Sequence, residues 1–570
     1  MVLVKIIVFI LVLSIIICIH ELGHFLTAKK FGVLCHEFSL GMGPALYKKK
    51  KGETTYAIRA IPIGGYVSMA GEQFTEDIVC PGDSIGLNIK NGEAYEIILD
   101  DKTVCDVRGR VIKRELYSRH GEPLEIELCL DNSVRDEDLA SQTGTSYAVL
   151  EDAFIVDGKS RIQLAPFKRC LESKKCWQRF LVMFAGPFMN MVLAMFIYLL
   201  CHIIQGTPMY QSTTIGEVSS TYPSYSVLEE GDKILSVNGE SVSSWYDFKN
   251  EMNKCVDNGI LNITLEISRD GEVKTTSIKA DVFINSIGIS NYITKDSTYY
   301  NEALFTDTPL YSGAVVGSVG LRYKDEVSSD DTQISTGDII TAINIYDHGA
   351  SYDEANWKDI TNWSDLIIAL KDLDVSNIYF RYLDVSKNED GTFTYTERDT
   401  YKDEQRVESY GNEVLESQQV DKIKIVLGVS PRYHHNLFES IKAAGQNFWE
   451  DFTLIFNTLK ILIHPSGVRQ VGVQNLSGVV GIYSMVGSYL EAGILALLLF
   501  MALLSVNIGV MNLLPIPALD GGRILFVLIE AIIHKPLNRK VEAMINNIMF
   551  VLLMIFMVYI LYNDITRLVK

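Results

Sequence analysis

The chain is poor in cysteine. It has nine cysteines in 570 residues, and no two of them form a C-x-x-C pair. A cysteine nucleophile would need a paired histidine base, and nothing in the sequence indicates one. Only Cys255 falls in the long polar segment 207–428, and a single cysteine cannot form an intramolecular disulfide. That segment is therefore expected to fold on its hydrophobic core alone.

Positive charge is also scarce. The chain has 51 Lys and Arg residues against 70 Asp and Glu residues, a formal net charge of −19. Residues 207–428 contain 18 basic against 38 acidic residues, and this difference of −20 accounts for the whole acidic excess. An acidic surface repels polyanions, so the sequence predicts no nucleic-acid partner and no anionic-lipid site in this segment.

Long apolar runs are abundant. Hydrophobic residues make up 48% of the chain, and the mean hydropathy is positive. Four stretches are long enough to span a bilayer, near residues 3–27, 180–204, 492–514 and 546–562. The first lacks the small-residue cleavage pattern of a signal peptide and runs directly into Lys29 and Lys30. The sequence therefore predicts a polytopic α-helical membrane protein with four transmembrane helices.

The first apolar run ends in His20-Glu21-Leu22-Gly23-His24. Positions i and i+4 share one helix face, so His20 and His24 can bind one zinc ion. Glu21 is placed to take a proton from a zinc-bound water. Ionisable groups at membrane depth are costly to insert, which favours a functional site over a chance match near a helix end.

The other end of the chain offers a third ligand. Pro515 and Pro517 follow the third apolar run and should end its helix. Asp520 is then predicted to lie in a short irregular stretch, from which it could turn toward a metal. Gly521 and Gly522 permit close approach of the backbone. A plain helix-ending turn is the alternative, and the intramembrane histidine pair makes the ligand interpretation the better one.

These motifs together resemble the site-2 protease family of intramembrane zinc metalloproteases, in particular bacterial regulator of sigma-E protease types. The C-terminal segment N-x-x-P-x-P-x-L-D-G-G spans residues 512–522. Three further segments are similar to family motifs: Phe38-Ser39-Leu40-Gly41-Met42-Gly43-Pro44, Pro62-Ile63-Gly64-Gly65-Tyr66-Val67 and Ala185-Gly186-Pro187-Phe188-Met189-Asn190. The resemblance covers both ends of the chain well and the middle loosely.

The resemblance implies a mechanism and a substrate class. Zn²⁺ bound by His20, His24 and Asp520 would activate water, with Glu21 as the base. The substrate would be a single transmembrane helix, which must unwind before attack because it satisfies its own carbonyl groups. In the family a membrane-inserted hairpin, here Thr54–Val67 with Gly64 and Gly65, has that role. Asn190 would hold the substrate backbone, although it could instead form an interhelical hydrogen bond. Asn512 could similarly brace the substrate or the Pro515–Asp520 turn.

Basic residues fall in three clusters that predict the topology. They follow the first span, precede the second span and lie between the third and fourth spans: Lys29, Lys30, Lys48–Lys51; Lys168, Arg169, Lys174, Lys175, Arg179; Lys535, Arg539, Lys540. All three are cytoplasmic if the N-terminus and residues 207–428 are extracytoplasmic. The protein is then a multi-pass cell-membrane protein whose active site lies near the cytoplasmic side.

The segment 207–428 is predicted to contain two extracytoplasmic α+β modules. In residues 207–283, the strand Ile215–Val218 and the Gly-Asp-x-Ile-x-x-Val-Asn-Gly pattern at 231–239 are typical of a PDZ domain, with a helix from Trp245 and a hairpin at Asp270-Gly271. Residues 284–428 contain a looser echo at 313–316, 337–344 and 363–370, interpreted as a second PDZ-like domain. PDZ grooves bind extended peptides, and the alternative is that the modules only shape access to the active site.

The remaining segments complete the predicted organisation. Residues 1–72 contain the first span and the hairpin, and 73–165 form a β-rich cytoplasmic insert with alternating runs at 95–99 and 124–128. Residues 166–206 contain the second span. Residues 429–475 contain an amphipathic membrane-surface helix from Leu437 to Ile463, with packing under the modules as its alternative, and 476–570 contain the last two spans. Residues 473–478 resemble a family loop that handles substrate.

The predicted function is cleavage of single-span membrane proteins after a first extracytoplasmic cut, as in regulated intramembrane proteolysis of an anti-sigma factor. The PDZ-like modules would exclude untrimmed proteins by size. Clearance of signal-peptide remnants is the alternative within the protease class. A non-catalytic PDZ scaffold is the competing class, and the complete set of His20, Glu21, His24 and Asp520 argues against it. Both protease roles place the substrate in the lipid bilayer.

Overall fold

A computed structural model describes residues 2–71, 79–118, 121–130, 144–158, 160–292, 312–319, 334–347, 352–373, 376–388, 392–402, 407–409, 415, 420–463 and 477–569. The chain forms two compact units, Met1–Tyr198 with Leu476–Lys570 and Leu199–Asn475. The helices in these residues are α1 Val2–Lys30, α2 Cys176–Gln205, α3 Trp245–Asn258, α4 Trp363–Leu370, α5 Leu437–Ile463, α6 Val479–Ala492, α7 Ile494–Leu513, α8 Asp520–Ile533 and α9 Arg539–Val569.

The strands carry the β-rich parts of both units. In the first unit they are β1 Cys35–Lys51, β2 Thr54–Met69, β3 Ser84–Lys90, β4 Glu93–Ile98, β5 Val107–Glu115, β6 Glu125–Cys129, β7 Thr145–Asp157 and β8 Ser160–Gln163. In the second they are β9 Thr207–Pro208, β10 Ile215–Val218, β11 Lys233–Val237, β12 Glu240–Ser241, β13 Asn262–Arg269, β14 Glu272–Lys279, β15 Asp281–Ile284, β16 Ile289–Ser290, β17 Ala314–Val315, β18 Ser318–Val319, β19 Ile339–Asp347, β20 Trp357–Asp359, β21 Ser376–Lys387, β22 Phe393–Asp399, β23 Val407–Glu408, β24 Ile423–Val426, β25 Val429–Pro431 and β26 Tyr433–His434.

Four helices among the described residues are long and apolar enough to cross a membrane: Val2–Lys30, Cys176–Gln205, Ile494–Leu513 and Val541–Thr566. This confirms the four spans predicted from the apolar runs. Large apolar side chains remain exposed along these helices, as expected for surfaces that face lipid. One ion pair and one hydrogen bond connect helix α6 to its neighbours. Glu491 pairs with Lys5 of α1 at 2.8 Å, and the amide of Gly478, the N-cap residue of α6, donates to Asp564 of α9 at 3.0 Å.

The end of α7 follows the prediction in one respect and differs in another. The helix ends at Leu513, and Leu514 is extended, because the proline pair that follows cannot continue the helical hydrogen bonds. Asp520, however, does not lie in the irregular stretch as predicted. It is the first residue of α8, because the chain resumes helical geometry directly after Leu519. A Cβ on Gly521 would lie 2.2 Å from the carbonyl oxygen of Leu514, so only glycine permits this tight turn.

Strands β1 and β2 form a mixed ribbon rather than one simple hairpin: residues 37–40 pair antiparallel with 65–68 and in parallel register with 55–58. Residue Phe38 pairs with both Tyr56 and Val67, so the first half of β1 lies between two stretches of β2. Inside the ribbon, Glu37 accepts hydrogen bonds from Arg59 and Tyr66. Burial alone would raise the pKa of Glu37, but these hydrogen bonds hold it below its ordinary value. The ionised carboxylate therefore ties neighbouring stretches of the ribbon together.

The predicted β-rich insert is a small closed barrel. Strands β3 to β8 form one sheet in the order β4-β3-β5-β6-β7-β8, and a parallel pairing of β4 with β7 closes it. The predicted alternating runs at 95–99 and 124–128 are strands β4 and β6. Their inward residues, such as Ile97, Ile126 and Leu128, are fully buried in the insert's own core.

The second unit repeats one hydrogen-bonding pattern in its two halves. The amide of Ile215 donates to the carbonyl of Asp232, and that of Val316 donates to the carbonyl of Asp338, both at 2.8 Å. Each aspartate follows a glycine that ends a turn and comes directly before a strand, β11 or β19. The two halves therefore share a local structure, as the sequence echo predicted.

The strands also connect the two halves. Strand β24 (Ile423–Val426) pairs with β15 (Asp281–Ile284), and β25 (Val429–Pro431) pairs with β10 (Ile215–Val218). The chain thus returns to the first half after completing the second. One continuous buried cluster contains residues of both, from Ile215 to Leu427.

Helix α5 has the bounds predicted for it, Leu437–Ile463.

Candidate metal centre

The two histidines of the first apolar helix and Asp520 converge in the first unit. His20 Nε2 lies 3.1 Å from Oδ2 of Asp520, and His24 Nε2 lies 3.3 Å from the same oxygen. The two Nε2 atoms are 3.3 Å apart. Among the described residues, these three form the group of His, Cys, Asp or Glu side chains able to bind one metal ion. His20 and Asp520, 500 positions apart in sequence, thus lie side by side.

The spacing of these three atoms fits zinc. A tetrahedral zinc ion with bonds of about 2.0 Å places neighbouring ligand atoms about 3.3 Å apart. Two imidazole nitrogens and one carboxylate oxygen are ordinary zinc donors, and three protein ligands leave the fourth position of a catalytic site. Both histidines are buried, at 8% and 6% exposure, which keeps their rings in one orientation.

Helix α2 contacts the Nδ1 atoms of both histidine rings. The backbone carbonyl of Val182 lies 2.8 Å from Nδ1 of His24, and Nδ2 of Asn190 lies 3.4 Å from Nδ1 of His20. The carbonyl of Val182 accepts from Nδ1–H of His24, which fixes its tautomer and leaves Nε2 for the metal. The side-chain amide of Asn190 lies against the second nitrogen of His20. The sequence predicted Asn190 as a substrate-binding residue, but no sequence signal could indicate a main-chain carbonyl such as that of Val182.

Two glycines allow helices α1 and α2 to approach closely enough for these contacts. A Cβ on Gly186 would lie 2.2 Å from Nε2 of His24, and a Cβ on Gly23 would lie 2.2 Å from the carbonyl oxygen of Ala185. Any larger residue at either position would therefore separate the helices. Gly23 and Gly186 lie within the sequence motifs noted above, and their role becomes visible only from the packing.

The remaining residues predicted to bind substrate are Gly64, Gly65 and Asn512. Gly65 packs against the first helix: a Cβ there would lie 3.4 Å from Cγ of Glu21 and 3.2 Å from Cγ2 of Ile17. Gly64, its neighbour, has a positive φ of 93°. Asn512 is half-buried in the last turn of α7. The ribbon stretch after Gly64 therefore runs directly beside Glu21.

The fold and this centre define a class: a helical membrane protein with two histidines and one aspartate placed for a metal ion. The chain belongs to Peptidase family M50, whose profile matches residues 8–556. A protein of Staphylococcus aureus strain N315 is 29% identical over 574 residues and covers 99% of both chains. Proteins named zinc metalloprotease RasP, from Shouchella clausii and Bacillus licheniformis, are each 28% identical over 565 residues, at 98% and 99% coverage of both chains.

These similarities confirm the resemblance predicted from the motifs. The chain is a zinc metalloprotease of the site-2 protease type, an enzyme with Zn²⁺ as its cofactor that acts within the lipid bilayer. The non-catalytic scaffold considered from the sequence is therefore wrong as a class.

Proposed function

We propose that His20, His24 and Asp520 are the zinc ligands and that Glu21 is the general base for hydrolysis of a peptide bond in a membrane-spanning substrate. The observation that carries this proposal is the convergence of three ligand atoms within 3.3 Å of one another in the apolar helix bundle. Zinc bound there would act as a Lewis acid toward the scissile carbonyl and lower the pKa of water.

The residues of this chain account for the proton transfers. Glu21 follows the first ligand in α1, and its carboxylate takes a proton from the attacking water. The same carboxyl group then gives that proton to the leaving amide nitrogen. Burial of His20 and His24 excludes bulk water from the ligand side, so charge develops in a medium of low dielectric constant.

The substrate helix has to unwind, because its carbonyl groups are already hydrogen-bonded. Residues 65–69 lie beside α1 and would pair with an extended substrate as an added strand. One end of the Asn190 side-chain amide is buried without a hydrogen-bond partner in the described structure, and a backbone group of the substrate would satisfy it. Asn512, in the last turn of α7, is assigned to the same side of the substrate.

The test of the catalytic assignment is Glu21→Gln. The amide cannot take the proton, so cleavage of a model transmembrane substrate in detergent should fall by at least 1,000-fold, which lies at the upper part of the range for general acid–base catalysis, about 10²–10⁴. Zinc content should stay at one ion per chain because the three ligands are unchanged. Glu240→Gln, on an exposed strand of the second unit, is the matched control. Turnover by Glu21→Gln close to that of the control would refute the assignment.

The second unit is assigned to substrate selection by two PDZ-like modules, 207–283 and 284–428. The repeated turn geometry at Asp232 and Asp338 supports two related modules. We assign them a steric role: they exclude substrates whose outer domain has not been trimmed. Replacing 208–428 by a short flexible linker should permit cleavage of an untrimmed substrate, whereas changes near Gly231 should leave trimmed substrate unaffected. Loss of trimmed-substrate cleavage in a folded Gly231 variant would instead indicate peptide capture.

The topology is assigned from the basic clusters, with the N-terminus and 207–428 outside and the barrel of residues 79–163 in the cytoplasm. Cys255 is only 4% exposed, so it cannot report on the outer side. A cysteine placed at Glu272, which is exposed, should react with a membrane-impermeant thiol reagent in intact cells. A cysteine placed at the exposed Lys102 should react only after permeabilisation, and the opposite pattern would reverse the topology.

The pathway proposed for this enzyme is cleavage of a single-span protein, such as an anti-sigma factor, after a first extracytoplasmic cut. Clearance of signal-peptide remnants is the other role for the same chemistry. Cells that carry Glu21→Gln should accumulate the uncleaved membrane stubs, and membrane proteomics would show which class they belong to. Accumulation of signal peptides alone would favour the second role.

A further inference from the structure

A buried ion pair joins helix α2 to helix α8. The guanidinium of Arg179 donates to Oε2 of Glu530, and the two side chains are only 18% and 10% exposed. The other carboxylate oxygen, Oε1, accepts the amide of Leu537 at 3.0 Å, in the turn between α8 and α9. Glu530 therefore connects three elements of the first unit through directional, charge-assisted bonds.

The position of each partner is unfavourable for its own helix. Arg179 lies in the first turn of α2, where the helix dipole disfavours a cation, and Glu530 lies in the last turn of α8, where it disfavours an anion. Burying such a pair gives little net stability, because both groups lose hydration. Its placement is therefore better explained by the geometry that it enforces than by helix stability.

That geometry concerns the third zinc ligand. Helix α8 begins at Asp520, and a helix is a stiff rod with a rise of about 1.5 Å per residue, so the ligand lies about 15 Å along the axis from Glu530. The N-cap residue Leu519 gives α8 no side-chain cap. Close packing of Gly521 on Leu514 fixes the start of α8 locally. Apolar contacts farther along α8, such as those of Ile524, are non-directional and specify its orientation against α2 only weakly.

Helix α2 contacts both histidine ligands and also the helix that carries the third ligand, Asp520. It contacts His24 through Val182 and His20 through Asn190, and it contacts α8 through Arg179. We propose that the Arg179–Glu530 ion pair is a positioning pair, which sets helix α8 on helix α2 so that Asp520 meets the two histidines. This inference rests on the zinc ligands assigned above, and it extends the site to two residues that touch neither metal nor substrate.

The experiment measures zinc affinity of the full-length protein in detergent by competition with a chelator. Glu530→Gln should bind zinc about ten-fold or more weakly, the lower end of the range seen when a hydrogen-bond partner of a metal ligand is lost. The visible spectrum of the cobalt-substituted variant should also shift, because the carboxylate of Asp520 no longer meets the ion in the same geometry. The matched control, Glu491→Gln, breaks the Lys5–Glu491 pair between α1 and α6 and should leave both readouts unchanged.

Two further variants separate the outcomes. Glu530→Asp keeps the charge but shortens the side chain, so it should weaken zinc binding even if Glu530→Gln does not accumulate. His24→Ala tests the ligand assignment itself and should abolish zinc binding. If His24→Ala loses zinc while Glu530→Gln and Glu530→Asp bind it within two-fold of the parent protein, the pair only supports packing and the proposal fails. If His24→Ala retains zinc, the ligand assignment fails instead.

Discussion

Nδ2 of Asn190 lies 3.4 Å from Nδ1 of His20, while the Oδ1 atom of the same amide is buried without a hydrogen-bond partner in the described structure. The backbone of Asn190 is held independently, since the hydroxyl of Ser505 on α7 donates to its carbonyl at 2.8 Å. A buried amide group without a partner, beside a predicted metal ligand, is costly unless a bound group completes it. The side-chain amide of Asn190 therefore has one end beside His20 and the other end available to a bound group.

Asn190→Ala should therefore lower kcat/KM by about ten-fold, the effect of one lost hydrogen bond of about 1–2 kcal/mol. The loss should be expressed mainly as a higher KM for a transmembrane peptide substrate. Zinc content should remain near one ion per chain, because the three ligands are retained. The exposed Asn258→Ala, in the second unit, is the control. Unchanged kinetics in Asn190→Ala would show that the amide acts only between helices.

Gly65→Val should damage catalysis without removing the metal. A Cβ at this position would already lie 3.0 Å from the carbonyl oxygen of Ser39 and 3.4 Å from Cγ of Glu21, so the branched side chain must push residues 65–69 away from α1. A fall in kcat of at least ten-fold at normal zinc content is expected, measured with a trimmed substrate. Gly52→Asn is the control, because Gly52 has open space around it and its φ of 62° suits asparagine. Full activity of Gly65→Val would show that residues 65–69 do not contribute to the reaction.

Asp338 should make the second half of the second unit sensitive to pH. Burial raises the pKa of this carboxyl from 3.8 to about 7 in the folded protein, despite hydrogen bonds from the amides of Val385 and Ser335. The folded state then binds the proton more tightly than the unfolded state. The stabilisation by protonation is fully present below about pH 4 and is lost as the pH rises through about 7.

Hydrogen exchange of β19 in the full-length protein, corrected for intrinsic rates, checks this expectation. Protection should increase from pH 7.5 to pH 5 in the parent protein and should be nearly flat in Asp338→Asn. Strand β11 provides an internal control, because the corresponding Asp232 pairs with Arg269 at 2.7 Å and its pKa is lowered. Equal pH dependence in both strands would contradict the assignment to Asp338.

The sequence by itself determined the parts of this protein that depend on local pattern. Apolar runs defined the four membrane helices, since a helix needs about 20 apolar residues to cross the hydrocarbon core of a bilayer. The one-turn spacing of His20 and His24 determined that both face one way, and the echo of Gly-Asp at 231 and 337 indicated a repeated turn. Both ends of helix α5 could be predicted to the residue, because the helical period of its apolar residues and the flanking sequence indicate the same bounds.

Only the tertiary structure decided what depends on distant contacts. That Asp520 begins a helix rather than ending a turn follows from backbone packing of Gly521 against Leu514, which no linear pattern reveals. The return of β25 to pair with β10 and the contact of Val182 with His24 likewise join residues more than 150 positions apart. Main-chain carbonyls and ion pairs such as Arg179–Glu530 carry no motif, because their partners are chosen by how helices pack in three dimensions.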